Sequence, residues 1–264
     1  MNAVAAQAGI VSISTGDVLV GDRGSNLITN GSFENGHPGG GNVGWTPGSH
    51  IGGYPGSEVA AISGWTSSYD SDGAYGWWGP LGFQGGTIPD GSNAVYFGNS
   101  FASVDLAPVV GANGHVTFGG DPVFTHASGL DPISLGQTVG GLGVGDSYVL
   151  DFWVSGESNT GGFSGFGLFG LEIGTELTYL LLPASSNSFG AEQRYQIEFT
   201  ADAASLDISF INWGHISNVN GSGSELVLDD VILNRAQAAV PEPLTGSLLL
   251  AAGLGLLGMR RRVS

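Results

Sequence analysis

Seven aromatic residues, Trp45, Tyr54, Trp65, Tyr69, Tyr75, Trp77 and Trp78, fall within 34 residues of this 264-residue chain and include four of its six tryptophans. Indole and phenol rings offer flat apolar faces with a polar edge, which suits the C–H face of a sugar ring, so the cluster is a candidate glycan platform. Tyr75, Trp77 and Trp78 are its best members, because Trp77 and Trp78 are adjacent on a Gly-flanked segment and take opposite faces of an extended chain. The alternative is that these rings anchor a Gly-rich loop against the core. Other reactive residue types are sparse. The five histidines, at positions 37, 50, 115, 126 and 215, form neither His-x-His nor His-Glu-x-x-His spacing. No Gly-x-Ser-x-Gly elbow occurs, and a phosphate loop with its lysine is excluded because the chain has no lysine. A carboxylate pair for glycoside hydrolysis requires a defined separation that sequence does not supply. The expectation is a non-enzymatic protein, with no catalytic residues assigned.

Charge narrows the partners. Six arginines stand against 23 acidic residues, for a net charge of −17, and three of the arginines lie in the last five positions. Nucleic-acid binding needs Lys and Arg to displace counterions, so it is excluded, while divalent cations and neutral polymers stay open. The absence of cysteine removes disulfides and thiolate zinc sites. Glycine, at 48 residues without a three-residue period, suits turns and bulges in an all-β protein.

The elements that position these residues read as strands. Apolar residues recur with a period near two over Leu27–Phe33, Val59–Trp65, Ala94–Phe97, Ile133–Val139, Tyr148–Val154, Phe166–Ile173, Leu177–Leu182, Arg194–Thr200, Leu206–Asn212 and Leu226–Leu233. Tyr148–Val154 is nearly continuous and predicts a central, covered strand. This spacing predicts a two-sheet jelly-roll β-sandwich over residues 26–236. Gly36–Tyr54 and Phe101–Asp131 carry few strand signals and read as long loops, one with room for a short hairpin.

Four ordered pieces carry a resemblance: Asn26 to Glu34 (NLITNGSFE), Ile62 to Trp65 (ISGW), Asp90 to Val95 (DGSNAV) and Leu228 to Val231 (LDDV). With the Ile133–Val139 and Tyr148–Val154 pair they resemble the galactose-binding-like jelly rolls, particularly carbohydrate-binding modules. The resemblance implies that Trp65 packs in the core and that a structural calcium sits where the first and last strands meet. By motif match its ligands are Glu34, Asn30, Asp229 and Asp230, a chemistry consistent with an ion that takes six to eight oxygens. The alternative for Asp229 and Asp230 is a solvated edge or acceptance of backbone hydrogen bonds. The family contains many non-catalytic members, so it implies binding and no reaction.

Both termini carry export signals. Val240, Pro241, Glu242 and Pro243 precede a 16-residue apolar run, Leu244–Met259, and then Arg260, Arg261 and Arg262. As a helix the run spans about 24 Å, short of a hydrocarbon core of about 30 Å. The arginines act as a membrane stop signal that keeps the end of the chain in the cytoplasm. A buried C-terminal helix is the alternative, weakened by the lack of an amphipathic stripe. Residues 237–264, with the motif at 240–243, the span at 244–259 and the basic tail at 260–264, resemble the PEP-CTERM sorting signal. This implies exosortase as a processing partner, a temporary hold in the inner membrane of a Gram-negative bacterium, and release to the cell surface or extracellular matrix. Residues 1–25 include Ala6-Gln7-Ala8, of small-x-small form, and read as the remnant of a signal peptide whose start lies upstream. The combined expectation is an exported envelope or matrix protein that binds exopolysaccharide. Its rivals are a structural matrix component bridged by divalent cations and, third, a glycosidase.

Overall fold

A computed structural model describes residues 9–16, 25–35, 63–68, 75–78, 90–91, 94–126, 133–158, 166–182, 184–186, 193–216 and 224–236. The described elements are fifteen strands in two predominantly antiparallel sheets, as the alternating sequence pattern predicts.

The first sheet holds β1 (Gly9–Thr15), β13 (Gln193–Thr200), β9 (Ser147–Ser158), β15 (Ser224–Arg235), β4 (Ala94–Val104) and β3 (Tyr75–Trp78), in that order. β12 (Ala184–Ser186) runs parallel to the end of β9. The second sheet runs β2 (Thr66–Ser68), β8 (Ile133–Gly140), β14 (Ser205–Ile216), β10 (Phe166–Ile173), β11 (Glu176–Leu182), β6 (His115–Thr117) and β5 (Val109–Val110). β4 joins the two: its first part pairs with β15 and its last residues pair with β14 and with β7 (Phe124–His126).

Period-two alternation decides which residues meet between the sheets. Tyr195, Ile197 and Phe199 of β13 and Leu150, Phe152 and Val154 of β9 face Phe169, Leu171 and Ile173 of β10 and Ile208 and Phe210 of β14, all buried. Phe152 lies at the centre, edge-on to Phe210 at 5.0 Å and stacked on Tyr195 at 5.7 Å. The Tyr195 hydroxyl donates to the Leu181 carbonyl at 2.6 Å, so its polar tip is satisfied inside the sandwich.

Four expectations change. Leu27–Phe33 is a turn and not a strand: Asn30 and Phe33 have φ of 54°, which breaks extended pairing. The segment is instead pinned to β15 by the Asn26 side chain, which donates to Val231 O and accepts from Leu233 N. Thr66–Ser68, just after the predicted Val59–Trp65, forms the strand there, and residues 59–62 lie outside the described residues. The predicted loop from Phe101 contains the end of β4 and all of β5, β6 and β7. Gly9–Thr15, in the supposed N-terminal remnant, pairs with β13 as an edge strand of the domain. Its donor and acceptor row, more than its side chains, makes it a strand, with Ile10 and Ile13 packed on the core.

Residues 237–264, including Val240–Pro243, the 244–259 run and Arg260–Arg262, lie outside the described residues. Among the described residues no helix is long and apolar enough to cross a membrane.

Candidate functional site

The outward face of the second sheet has a floor of small and polar residues. Thr66, Gly136, Ser209, Glu172 and Leu177 are successive register partners across β2, β8, β14, β10 and β11. The next row is Ser68, Ser134, Ile211, Gly170 and Tyr179. At about 4.8 Å between strands, five strands make a floor about 19 Å across. Gly136 abuts the Ser209 hydroxyl, and a Cβ at Gly170 would come within 2.7 Å of Trp213 Nε1. The floor is low because the residues that would raise it are glycine.

An aromatic wall closes one end of this floor. Leu168 pairs with Gly214 and Phe169 with Asn212, so Trp213 is the extra residue of a β-bulge. A bulge re-aims the side chain that it inserts. Here Asn212 is buried and the Trp213 indole lies over Gly170. Phe124 covers it with a centroid separation of 4.3 Å and a tilt of 32°. Tyr179 stands 5.4 Å from Phe124 and 5.4 Å, edge-on, from Phe118. All four rings are half-buried. The rim is apolar and open, with Val109 and Val123 more than 60% exposed and Leu177 39% exposed. Burial, and then the negative charge of Asp121, push the Tyr179 phenol above its ordinary range. It is therefore a protonated hydrogen-bond donor at neutral pH.

None of these four rings belongs to the seven singled out from sequence. The signal for two of them was present: Tyr179 and Trp213 sit at outward positions beside buried Leu180 and Asn212, and a large ring on the solvent face of an alternating strand needs a reason. Phe118 and Phe124 lay in a segment read as loop. Of the predicted platform, Tyr75, Trp77 and Trp78 form β3, opposite Phe97, Val95 and Ala94 of β4, and their side chains lie outside the described structure. Trp45, Tyr54 and Tyr69 lie outside the described residues. Trp65 is a core residue: it is buried, packs on Phe33 and Phe210, and donates to Asn30 O at 3.1 Å.

The proposed calcium ligands converge only in part. Asn30 is engaged elsewhere, donating to Asn35 O and Ser63 O and accepting from Asn35 N. Asp230, at φ 50° in the bulge of β15, pairs with Arg194 at 2.6 Å. Asp229 is fully buried and accepts from Asp90 N at 3.1 Å through one oxygen, and the Glu34 carboxylate abuts Gly91. Burial, ahead of repulsion from Asp230 and Asp90, holds the Asp229 carboxyl at about 8. Asp90 is raised by burial and then by Asp230 and Glu34. Four carboxylates thus crowd one corner, yet among the described residues no three acidic or histidine side chains stand together at metal-holding geometry.

Part of the outward face of the first sheet is buried, unlike the aromatic end of its counterpart. Asp151, Trp153 and Ser155 of β9 point away from the core and are all buried. Trp153 has Arg194 as its register partner on one side and Asp229 on the other. Trp153 Nε1, Ser155 Oγ, Arg194 Nε and Asp229 Oδ1 have no hydrogen-bond partner among the described residues. A buried polar atom left in this state costs about 1–3 kcal/mol.

No family model matches this chain, and no curated protein matches it. Solved structures do. One is TmCBM61 in complex with β-1,4-galactotriose, at 16% identity and a TM-score of 0.42, covering 81% of this chain and 100% of the other. Another is the CBM22-1 xylan-binding domain from Paenibacillus barcinonensis Xyn10C, at 11% identity and a TM-score of 0.38, covering 83% and 100%. A third is the enzymatically active domain of bacteriophage CBA120 tailspike protein 4, at 14% identity and a TM-score of 0.40, covering 80% of this chain and 21% of the other. At these TM-scores the likenesses carry no functional argument.

Proposed function

We propose that this chain is a non-catalytic carbohydrate-binding protein of the cell surface or matrix, and that the outward face of the second sheet is its glycan site. The observation that carries this reading is the half-exposed cluster of Trp213, Phe124, Tyr179 and Phe118 at the end of a glycine-lowered floor. Aromatic faces supply the stacking surface for a sugar ring. Ser134, Ser209, Glu172 and the Tyr179 phenol supply polar groups around it, the usual make-up of a site that orients a ligand with few polar contacts. The excess of carboxylates favours a neutral glycan, such as a neutral exopolysaccharide, over an acidic one.

Retention on immobilised neutral polysaccharides, including β-1,4-galactan and xylan, tests this reading. The wild type binds, Trp213→Ala does not, and the Trp77→Ala, Trp78→Ala double variant reports whether the platform predicted from sequence contributes. Retention of every polysaccharide by Trp213→Ala at wild-type strength defeats the assignment to the second sheet. Release of reducing ends from any of them points to the glycosidase alternative.

The carboxylate corner favours a second element of the proposal, a cation that relieves the crowding of Glu34, Asp90 and Asp229, a set that shares only Glu34 and Asp229 with the calcium ligands expected from the motifs. Equal melting temperatures in excess Ca²⁺ and in chelator defeat it. Sorting through residues 240–262 by exosortase is tested in an exosortase-deficient host, where the full-length tail is expected to persist in the inner membrane.

A further inference from the structure

The aromatic wall is flanked by carboxylates and by no described lysine or arginine. Glu172 lies two residues along β10 from Gly170, on which the Trp213 indole rests, and its register partner Leu177 is two residues along β11 from Tyr179. Glu172 is therefore a diagonal cross-strand neighbour of Tyr179, at a separation of about 7–8 Å that long side chains span. From the other side Asp121, in the connection between Phe118 and Phe124, bears on the Tyr179 phenol. Asp207 stands on the same outward face, two residues along β14 from Ser209, where it accepts from the Thr138 hydroxyl at 2.5 Å. The chain has no lysine, and both described arginines belong to the first sheet, where Arg194 is paired with Asp230 and Arg235 with Asp146.

Rings and carboxylates side by side suit a ligand of one charge. A ring face carries negative quadrupole density and attracts a cation within about 6 Å of its centroid, most strongly for an indole. Carboxylates beside it accept charge-assisted hydrogen bonds from an N–H donor. The two features arise independently, the rings from the β14 bulge and the strand β7, the carboxylates from positions on β10 and between β6 and β7. A sugar with hydroxyls alone uses the rings but gains only neutral hydrogen bonds from Glu172 and Asp121, and a carboxylated sugar is repelled by them. A bare metal ion is not matched, because no three acidic or histidine side chains among the described residues stand together at metal-holding geometry. A protonated amine on a sugar ring uses both features.

We propose that the site on the second sheet prefers amino sugars, and that a protonated amine is held between the Trp213 and Tyr179 rings and the carboxylates of Glu172 and Asp121. The inference rests on the reading of that face as the glycan site and adds the class of sugar. The partner polymer is then a polycation, such as a partly de-N-acetylated hexosamine polysaccharide, to which a chain of net charge −17 is also attracted at long range.

The test uses three trisaccharides on one β-1,4-glucan backbone that differ only at C2, which carries a hydroxyl, an acetamide or a free amine, with affinities measured by calorimetry on the full chain at neutral pH. The amine is expected to bind about tenfold tighter than the hydroxyl, the gain from one charge-assisted hydrogen bond. That preference is expected to vanish in the Glu172→Gln, Asp121→Asn double variant and to survive Glu157→Gln with Glu198→Gln, which removes two carboxylates from β9 and β13 of the first sheet. Equal binding of the three trisaccharides by the wild type overturns the amine site and leaves the glycan site standing. Binding of none of them by a chain that retains galactan or xylan has the same meaning. A preference that falls as far in the first-sheet variant as in the second-sheet one is diffuse attraction to an acidic chain, and overturns it too. Amine binding that persists in Trp213→Ala while neutral binding is lost places the amine elsewhere and overturns the assignment. Failure to bind any trisaccharide or polysaccharide overturns both readings.

Discussion

The two outward faces of this sandwich are built from the same kind of alternating strand and reach opposite outcomes. On the second sheet, Gly136 and Gly170 lower the surface, and Trp213, Tyr179, Phe124 and Phe118 stand half-exposed beside it. On the first sheet, Asp151, Trp153 and Ser155 occupy equivalent outward positions and are buried. The difference teaches that outward position and accessibility are separate properties. An exposed aromatic advertises a ligand by its surface, whereas a buried side chain presents none.

Binding data break this comparison most directly. Trp213→Ala removes the indole from the wall, and affinity for the bound polysaccharide is expected to fall about 10- to 100-fold by calorimetry, in line with burial of one large apolar side chain. Gly170→Ala is the subtler version: its Cβ would crowd Trp213 Nε1 at 2.7 Å and tilt the ring, so a loss of about tenfold with unchanged far-UV dichroism is expected. If the alanine is tolerated at full affinity, the floor is not part of the site.

The pH dependence of stability sharpens the contrast from the other side. Asp229 belongs to the covered face, and its carboxyl is raised in the folded state to about 8 from an ordinary 3.8. The folded protein therefore holds a proton that the unfolded chain releases, and stability from this group is present below about pH 4 and is lost as the pH rises towards 8. Urea melts in chelator across that range should show the decline, and Asp229→Asn should flatten it. A wild-type profile that rises between pH 5 and pH 8 contradicts the burial of an unrelieved carboxyl. The smallest effect is that of calcium. Saturating Ca²⁺ at neutral pH is expected to raise the melting temperature by about 2–4 °C for each kcal/mol of binding linkage, and Asp229→Asn to abolish the rise.

The carboxylate corner shows how far motifs reach. Glu34 and Asp229 are far apart in sequence and were named from separate motifs, and the Asp90–Gly91 turn lies against both, with Asp90 N donating to Asp229 and Gly91 abutting the Glu34 carboxylate. Asn30 and Asp230 were named on the same basis and have other partners. A motif identifies a residue type at a position, but a side chain with two polar ends bonds to whichever neighbour the fold supplies, here Asn35 for Asn30 and Arg194 for Asp230. Gln137 makes the same point from within the core. Nothing marked it in the alternating run of β8, yet its amide clamps Thr29 and Gly64 to that strand through three hydrogen bonds.

What the amino-acid sequence determined by itself was the all-β class, most of the strands and the inward residues of the core, because a period of two is local and leaves one face apolar wherever the strand lies. Runs such as Tyr195, Ile197, Phe199 and Leu206, Ile208, Phe210 state their own burial. Composition likewise set an expectation against nucleic acid without reference to any fold. Only the tertiary structure decided which outward residues are seen by solvent and which rings meet. Phe118, which follows β6, and Phe124, Tyr179 and Trp213, from β7, β11 and β14, lie at separate points of the chain, and their grouping depends on a one-residue bulge, on a glycine beneath an indole and on the crossing of β4 between sheets. Those are relations between strands distant in the chain, and no local periodicity encodes them.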